Sequence, residues 1–178
     1  YDYWVLKLDN FGAVQWQRCL GGTGSDLAHS IRQTSDGGYI VAGESFSNDG
    51  DVIGHHGGAD QWLVKLHGNG AFQWQRCLGG SGWDVASDVW PTTDGGYIVA
   101  GWTGSHDGDI GCGHGEIAED FWLVKLNGNG QTQWQRCLGG TLDDRASAIQ
   151  QTSDGGYIVV GYTASEFNDG DVSGVHGG

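Results

Sequence analysis

Methionine is absent from all 178 residues, and proline occurs once. Without Met, Tyr1 is not a translation start, and the chain reads as a mature, processed or excised piece of something longer. No apolar run approaches the ~18 residues of a membrane span and no signal peptide is visible, so membrane insertion is not expected. Positive charge is scarce: eight Lys and Arg stand against 22 Asp and Glu, for a net charge of −14. That balance repels nucleic acid and anionic membrane surfaces. It suits solubility, cation binding or a polyhydroxylated partner. Helical periodicity is missing throughout, as is any Asn-x-Ser/Thr sequon. No catalytic constellation stands out, so an enzyme is not expected.

An acidic chain with 35 glycines invites a disordered reading. Nine Trp, six Tyr and five Phe at fixed repeat positions argue against it, because they supply a large apolar payload.

The stretch QWQRCLGG occurs three times letter for letter, at Gln15 to Gly22, Gln73 to Gly80 and Gln133 to Gly140. The intervals are 58 and 60 residues. A period of this kind decides architecture. It divides the chain into units of about 2–59, 60–119 and 120–178.

Each unit shows four strand signals. DYWVLKL, DQWLVKL and DFWLVKL begin at Asp2, Asp60 and Asp120 and are rich in aromatic and β-branched residues. Turns DNFG, HGNG and NGNG lead into the QWQRCL strand. A weaker strand follows, centred on Ile31, Val89 or Ile149. Then comes a DGG reversal at Asp36, Asp94 or Asp154, and a strand YIVAG or YIVVG from Tyr39, Tyr97 or Tyr157. A long loop closes the unit and carries all the length variation, around Glu116 to Glu119 and at Glu166 and Phe167.

Four short antiparallel strands per unit, apolar on both faces, describe an all-β fold of β-propeller blades that must be sandwiched by neighbours. A flat solenoid is the rival, disfavoured by the long period and the hairpin signals. The run D-x-W-L-V-K-L, Q-W-Q-R-C-L-G-G, D-G-G-Y-I-V-A-G resembles the tandem β-propeller repeats of large secreted and surface proteins of bacteria and archaea. The resemblance spans essentially the whole chain. It implies a propeller fold and an extracellular setting, and no particular activity.

By analogy with other propellers, the strand before DGG is innermost, followed outward by YIVAG, DxWLVKL and QWQRCL. The chain then holds three blades of four strands and is cut mid-blade. VHGG at its end followed by YDYW at its start reproduces HHGG-ADQW at His55 to Trp62. Three blades leave apolar faces bare. The expectation is half of a six-bladed ring, or a segment of a longer array or fibre. The chain itself would be the partner, as a homo-oligomer or as tandem copies completing the split blade.

Candidate chemistry is sparse. Asp49 and Asp51, Asp107 and Asp109, and Asp169 and Asp171 each bracket a glycine. They read either as the start of a calcium loop or as an Asx-type turn. His56, His114 and His176 read as loop-packing groups rather than ligands, since one per unit falls short of a metal set. Cys19, Cys77 and Cys137 occupy equivalent positions, read as buried small hydrophobes too far apart to bond to each other, and set apart from the repeat histidines. Cys112 stands alone in a loop. Recurrent Lys7, Lys65, Lys125, Arg18, Arg76 and Arg136 are expected to pair with Asp2, Asp60, Asp120, Asp26, Asp84 and Asp144. Trp83, Trp90 and Trp102 break the pattern in the second copy, where the first has Ser25, Arg32 and Glu44. Trp83 and Trp102, with Tyr162, suggest either packing or a glycan-stacking surface. The functional expectation is a non-enzymatic structural or adhesive module outside the cell. The alternative is a lectin-like binder.

Overall fold

The computed structural model describes residues 1–113, 118–166 and 168–174. It is all-β, with twelve strands and no helix among the described residues. The strands are β1 (Tyr3–Leu8), β2 (Val14–Leu20), β3 (Asp26–Gln33), β4 (Tyr39–Ser45), β5 (Asp60–Leu66), β6 (Phe72–Leu78), β7 (Asp84–Pro91), β8 (Tyr97–Thr103), β9 (Asp120–Leu126), β10 (Thr132–Leu138), β11 (Asp144–Gln151) and β12 (Tyr157–Thr163).

They sort into four antiparallel sheets: β1-β2, β3-β4-β5-β6, β7-β8-β9-β10 and β11-β12. The two complete sheets follow the strand order expected from the repeat. The first and last sheets are complementary halves: β1-β2 matches β5-β6, and β11-β12 matches β3-β4. β3 lies beside β7, and β7 beside β11. The four sheets are not closed into a ring.

The local reasons recur in each copy. A bulge falls at Ala28/Ser30, Ala86/Asp88 and Ala146/Ala148, which bends the strand and adds twist. Beside it stand Gly43, Gly101 and Gly161, where a Cβ would run into the carbonyl oxygens of Leu27, Val85 and Arg145. Only glycine permits that strand approach. In the DGG reversals Gly37, Gly95 and Gly155 take φ of +79°, +81° and +88°, the left-handed region that glycine enters without penalty.

Packing uses both faces of a sheet. Ile40, Ala42 and Leu63 point forward onto Ala86, Val89 and Val99 of the next sheet. Val41, Trp62 and Val64 point backward onto Tyr3, Val5 and Leu20 of the previous one. Ile98, Ala100 and Leu123 then meet Ala146 and Ile149. An edge-on aromatic pair repeats at each step: Trp16–Tyr39 at 5.7 Å, Trp74–Tyr97 at 5.8 Å and Trp134–Tyr157 at 5.8 Å.

Trp62 is fully buried, with its ring 4.5 Å from that of Tyr3, whose hydroxyl donates to the Trp62 carbonyl oxygen at 2.9 Å. Trp62→Ala is expected to cost about 3–5 kcal/mol, read as a lowered urea midpoint.

Candidate functional site

The Asp-Gly-Asp segments work as turns docked on the Gly-Gly loops. Asp49 accepts from the amide (2.7 Å) and hydroxyl (3.0 Å) of Thr23. The Asp51 amide donates to Gly21 O at 2.9 Å and that of Val52 to Asp49 O at 3.1 Å. In the second copy Asp107 accepts from the Ser81 amide at 2.7 Å, and the Asp109 amide donates to Gly79 O at 2.8 Å. In the third, Asp169 accepts from the amide and hydroxyl of Thr141 at 2.8 and 2.7 Å, and the Asp171 amide donates to Gly139 O at 2.8 Å. These carboxylates thus satisfy loop donors that strands leave over. Among the described residues no group of three or more His, Cys, Asp or Glu is arranged to hold a metal ion.

A second node lies under each loop. Buried Asp84 accepts from the Gly80 amide (2.8 Å), the Ser105 hydroxyl (2.7 Å) and the Thr103 hydroxyl. Burial pushes its carboxyl above the ordinary range, and the Thr103 hydroxyl, Gly80 amide and Ser105 hydroxyl pull it back. Asp26 is held likewise by Gly22, Ser47 and Ser45.

The cysteines depart from expectation. Cys112, expected to stand alone, is bonded to Cys137, with Cα atoms 5.5 Å apart. The loop after β8 folds back over β10 of its own sheet, a path that strand patterning does not disclose. Cys19, expected to be buried, is exposed because among the described residues no sheet covers the outer face of the β1-β2 half-sheet; Cys77 is buried as expected. Cys77 is also not separate from the histidine loop. Asp60 Oδ2 lies 2.8 Å from both the backbone amide and Nδ1 of His56, and 3.4 Å from Cys77 Sγ. Burial, reinforced by Asp60, drives the Cys77 thiol far above its usual range, so it stays protonated and unreactive. His114 and His176 lie outside the described residues.

The lysine pairing also differs. Buried Lys65 and Lys125 meet the DGG-turn carboxylates Asp36 and Asp94, each at 2.9 Å, not the strand-entry aspartates. The β-ladder explains this, since Lys65 stands opposite Ile40 and reaches past the turn that precedes β4. Lys7 instead donates to Gln15 at 3.1 Å. Arg18 and Arg76 donate to the carbonyl oxygens of Gly70 and Gly130 at 2.9 and 3.0 Å, in turns of the following copy.

The three aromatics singled out fall into two contacts. Trp83 meets Phe46 edge-on at 5.9 Å. Trp102 lies under the Arg145 guanidinium, 4.3 Å from the ring. Arg145 also pairs with Glu119 and stands opposite Tyr162 in the ladder.

One central residue escaped the sequence reading. Asp88, buried, accepts from Ser30 Oγ (2.6 Å), Arg32 (2.9 Å), the Val89 amide (2.9 Å) and the Ile149 amide (3.1 Å). It joins three sheets, and Arg32 lies 5.3 Å over the Trp90 ring. The signal was a carboxylate where the other copies have Ser30 and Ala148.

The half-sheets are each covered on one face and open on the other. Trp4 is 64% exposed, whereas its equivalents Trp62 and Trp122 are 0% and 1%. Ile158 and Val160 are both 62% exposed; Ile40, Ile98, Ala42 and Ala100 are all 0%. Val5, Ala28, Ile31 and Val41 line a groove beside β1, and Phe121, Leu138 and Val159 line another beside β12. No protein family matches this chain, and no curated protein does.

Two outcomes are expected. Cys112→Ser should cost about 3 kcal/mol by the loop-closure argument for a separation of 25 residues, while Cys19→Ser should change little; urea midpoints under non-reducing conditions compare them. The Thr92 hydroxyl, and then Lys125, hold Asp94 down at about 2. A depressed carboxyl stabilises the fold above its ordinary value near ~3.9 and loses that contribution as pH falls toward the folded value. Asp94→Asn should therefore lower Tm at neutral pH and flatten its fall between about pH 4 and about pH 2, measured by calorimetry.

Proposed function

We propose that this chain is a non-enzymatic structural module of an extracellular assembly, built from β-propeller blades, whose two half-sheets are completed by further copies of itself. Its work is to present a rigid, acidic, adhesive surface and to join end to face with its neighbours.

One observation carries the reading: the same residue types are buried in the complete sheets and exposed in the half-sheets. The chemistry of Trp4, Ile158 and Val160 is that of a core, and an exposed core surface of this kind marks an interaction site. The half-sheets also present free strand edges on β1 and β12, which pair with another strand unless blunted. The Cys112–Cys137 bond supports an oxidising, extracellular compartment. The net charge of −14 keeps such a surface soluble and away from nucleic acid. Two copies would hold six blades, a number within the range that closes a propeller.

Light scattering coupled to size exclusion tests the reading. Particles of twice 18.9 kDa, or an open series of multiples, are expected. A stable, folded species of 18.9 kDa at all concentrations would remove the basis for it.

A further inference from the structure

The two internal junctions serve as templates for the incomplete one. In both, the YIVAG strand pairs with the DxWLVKL strand in one register: Ile40 opposite Lys65, Ala42 opposite Leu63 and Gly43 opposite Trp62; Ile98 opposite Lys125, Ala100 opposite Leu123 and Gly101 opposite Trp122. Both carry the same ion pair across the edge of the sheet, Lys65–Asp36 and Lys125–Asp94. The half-sheets hold the separated members of a third set. Ile158, Val160, Gly161 and Asp154 lie at one end of the chain, and Lys7, Val5 and Trp4 at the other.

Resting on the self-completion reading above, we propose that β12 of one copy pairs antiparallel with β1 of a second copy in a single register, Ile158 opposite Lys7, Val160 opposite Val5 and Gly161 opposite Trp4, locked by an ion pair between Lys7 and Asp154. The groove geometry agrees. Ile40 and Ala42 rest on Ala86 and Val89 inside the chain, and Ala28 and Ile31 are the equivalents of that pair. They line the open groove beside β1, together with Val5. Ile158 and Val160 of the other copy fill it. In return Trp4 enters the groove of Phe121, Leu138 and Val159. There it takes the place beside Phe121 that Trp62 takes beside Tyr3. Gly161 already packs against the Phe121 ring, as Gly43 packs against the Tyr3 hydroxyl, and Gly43 and Gly101 stand opposite Trp62 and Trp122 in the ladder.

The charges decide the register. Each side of the junction offers one charge of the matching sign, and in the internal copies a buried lysine meets an exposed turn carboxylate at 2.9 Å. A slip of one residue would turn Ile158 and Val160 outward and place the lysine off its carboxylate. Lys7 donates to Gln15 at 3.1 Å and, among the described residues, forms no ion pair. Asp154 accepts from the Thr152 hydroxyl and, at 3.1 Å, the Gly156 amide, both on Oδ1; in the equivalent turns the lysine meets Oδ2 of Asp36 and Asp94.

The test is a charge exchange. Lys7→Asp and Asp154→Lys are made separately and read by sedimentation, with circular dichroism to confirm folding. Both sites lie on half-sheets, outside the buried cores. Each variant alone should associate at least about tenfold more weakly than the parent, because like charges then face each other. An equimolar mixture should recover the parent's association, since both junctions of a mixed pair regain opposite charges. The double variant Lys7→Asp/Asp154→Lys should also associate like the parent. Single variants as tightly associated as the parent, or a mixture that fails to recover, would overturn the register while leaving self-association standing. A parent that never associates would overturn both.

Discussion

Every complete sheet in this molecule is apolar on both faces, and that condition governs the rest. β5 is buried at all seven positions. A strand of that kind has no side to give to water, so its sheet persists only as the filling between two others. At about 25 cal/mol per Å² of apolar area removed from water, the fused cores on either side of β5 and β9 outweigh any single polar contact described above. The turns, caps and ion pairs then choose among the arrangements that this burial allows.

Polar groups at the sheet corners follow from the same condition. Where a sheet ends in a Gly-Gly loop, amides are left without ladder partners, and unpaired buried amides are costly. Carboxylates accept from several of these amides. Asp26 and Asp84 gather an amide and two hydroxyls each, and the Asp-Gly-Asp turns take the amides of the next loop residues. Part of the acidity that looks like a surface property in the sequence is therefore internal accounting, repeated once per unit. Lys65 and Lys125 obey the same rule with the opposite sign, each buried and each matched to a turn carboxylate.

Much of this was legible in the residues. Twelve strands, their order in the complete sheets and the complementary half-sheets all follow from motifs repeated with an intact spacing, because alternation and Asp-Gly reversals are local signals. The failures share a different origin. The Cys112–Cys137 bond depends on where a long loop travels, and no periodicity encodes that path. The lysine partners depend on ladder register, which sets who stands across from whom. Asp88 reads as an unremarkable polar residue until three sheets are placed around it. The burial of Asp60 between His56 and Cys77 likewise needs the loop and the strand together. Pattern reveals elements; contacts between distant elements remain hidden until the chain is folded.

Identical segments carry a hazard of their own: a QWQRCLGG strand has three equally suitable places to go. The residues unique to one copy offer a remedy. The disulfide fastens the loop of the second unit to β10, the second strand of the third unit, which completes the same sheet. Asp88 takes donors from both neighbouring sheets. Arg145 spans Trp102 and Glu119 at the following boundary. These labels all surround a single position in the stack. They number otherwise interchangeable layers, so that a folding chain can tell its middle from its flanks and keep its two-stranded sheets at the ends.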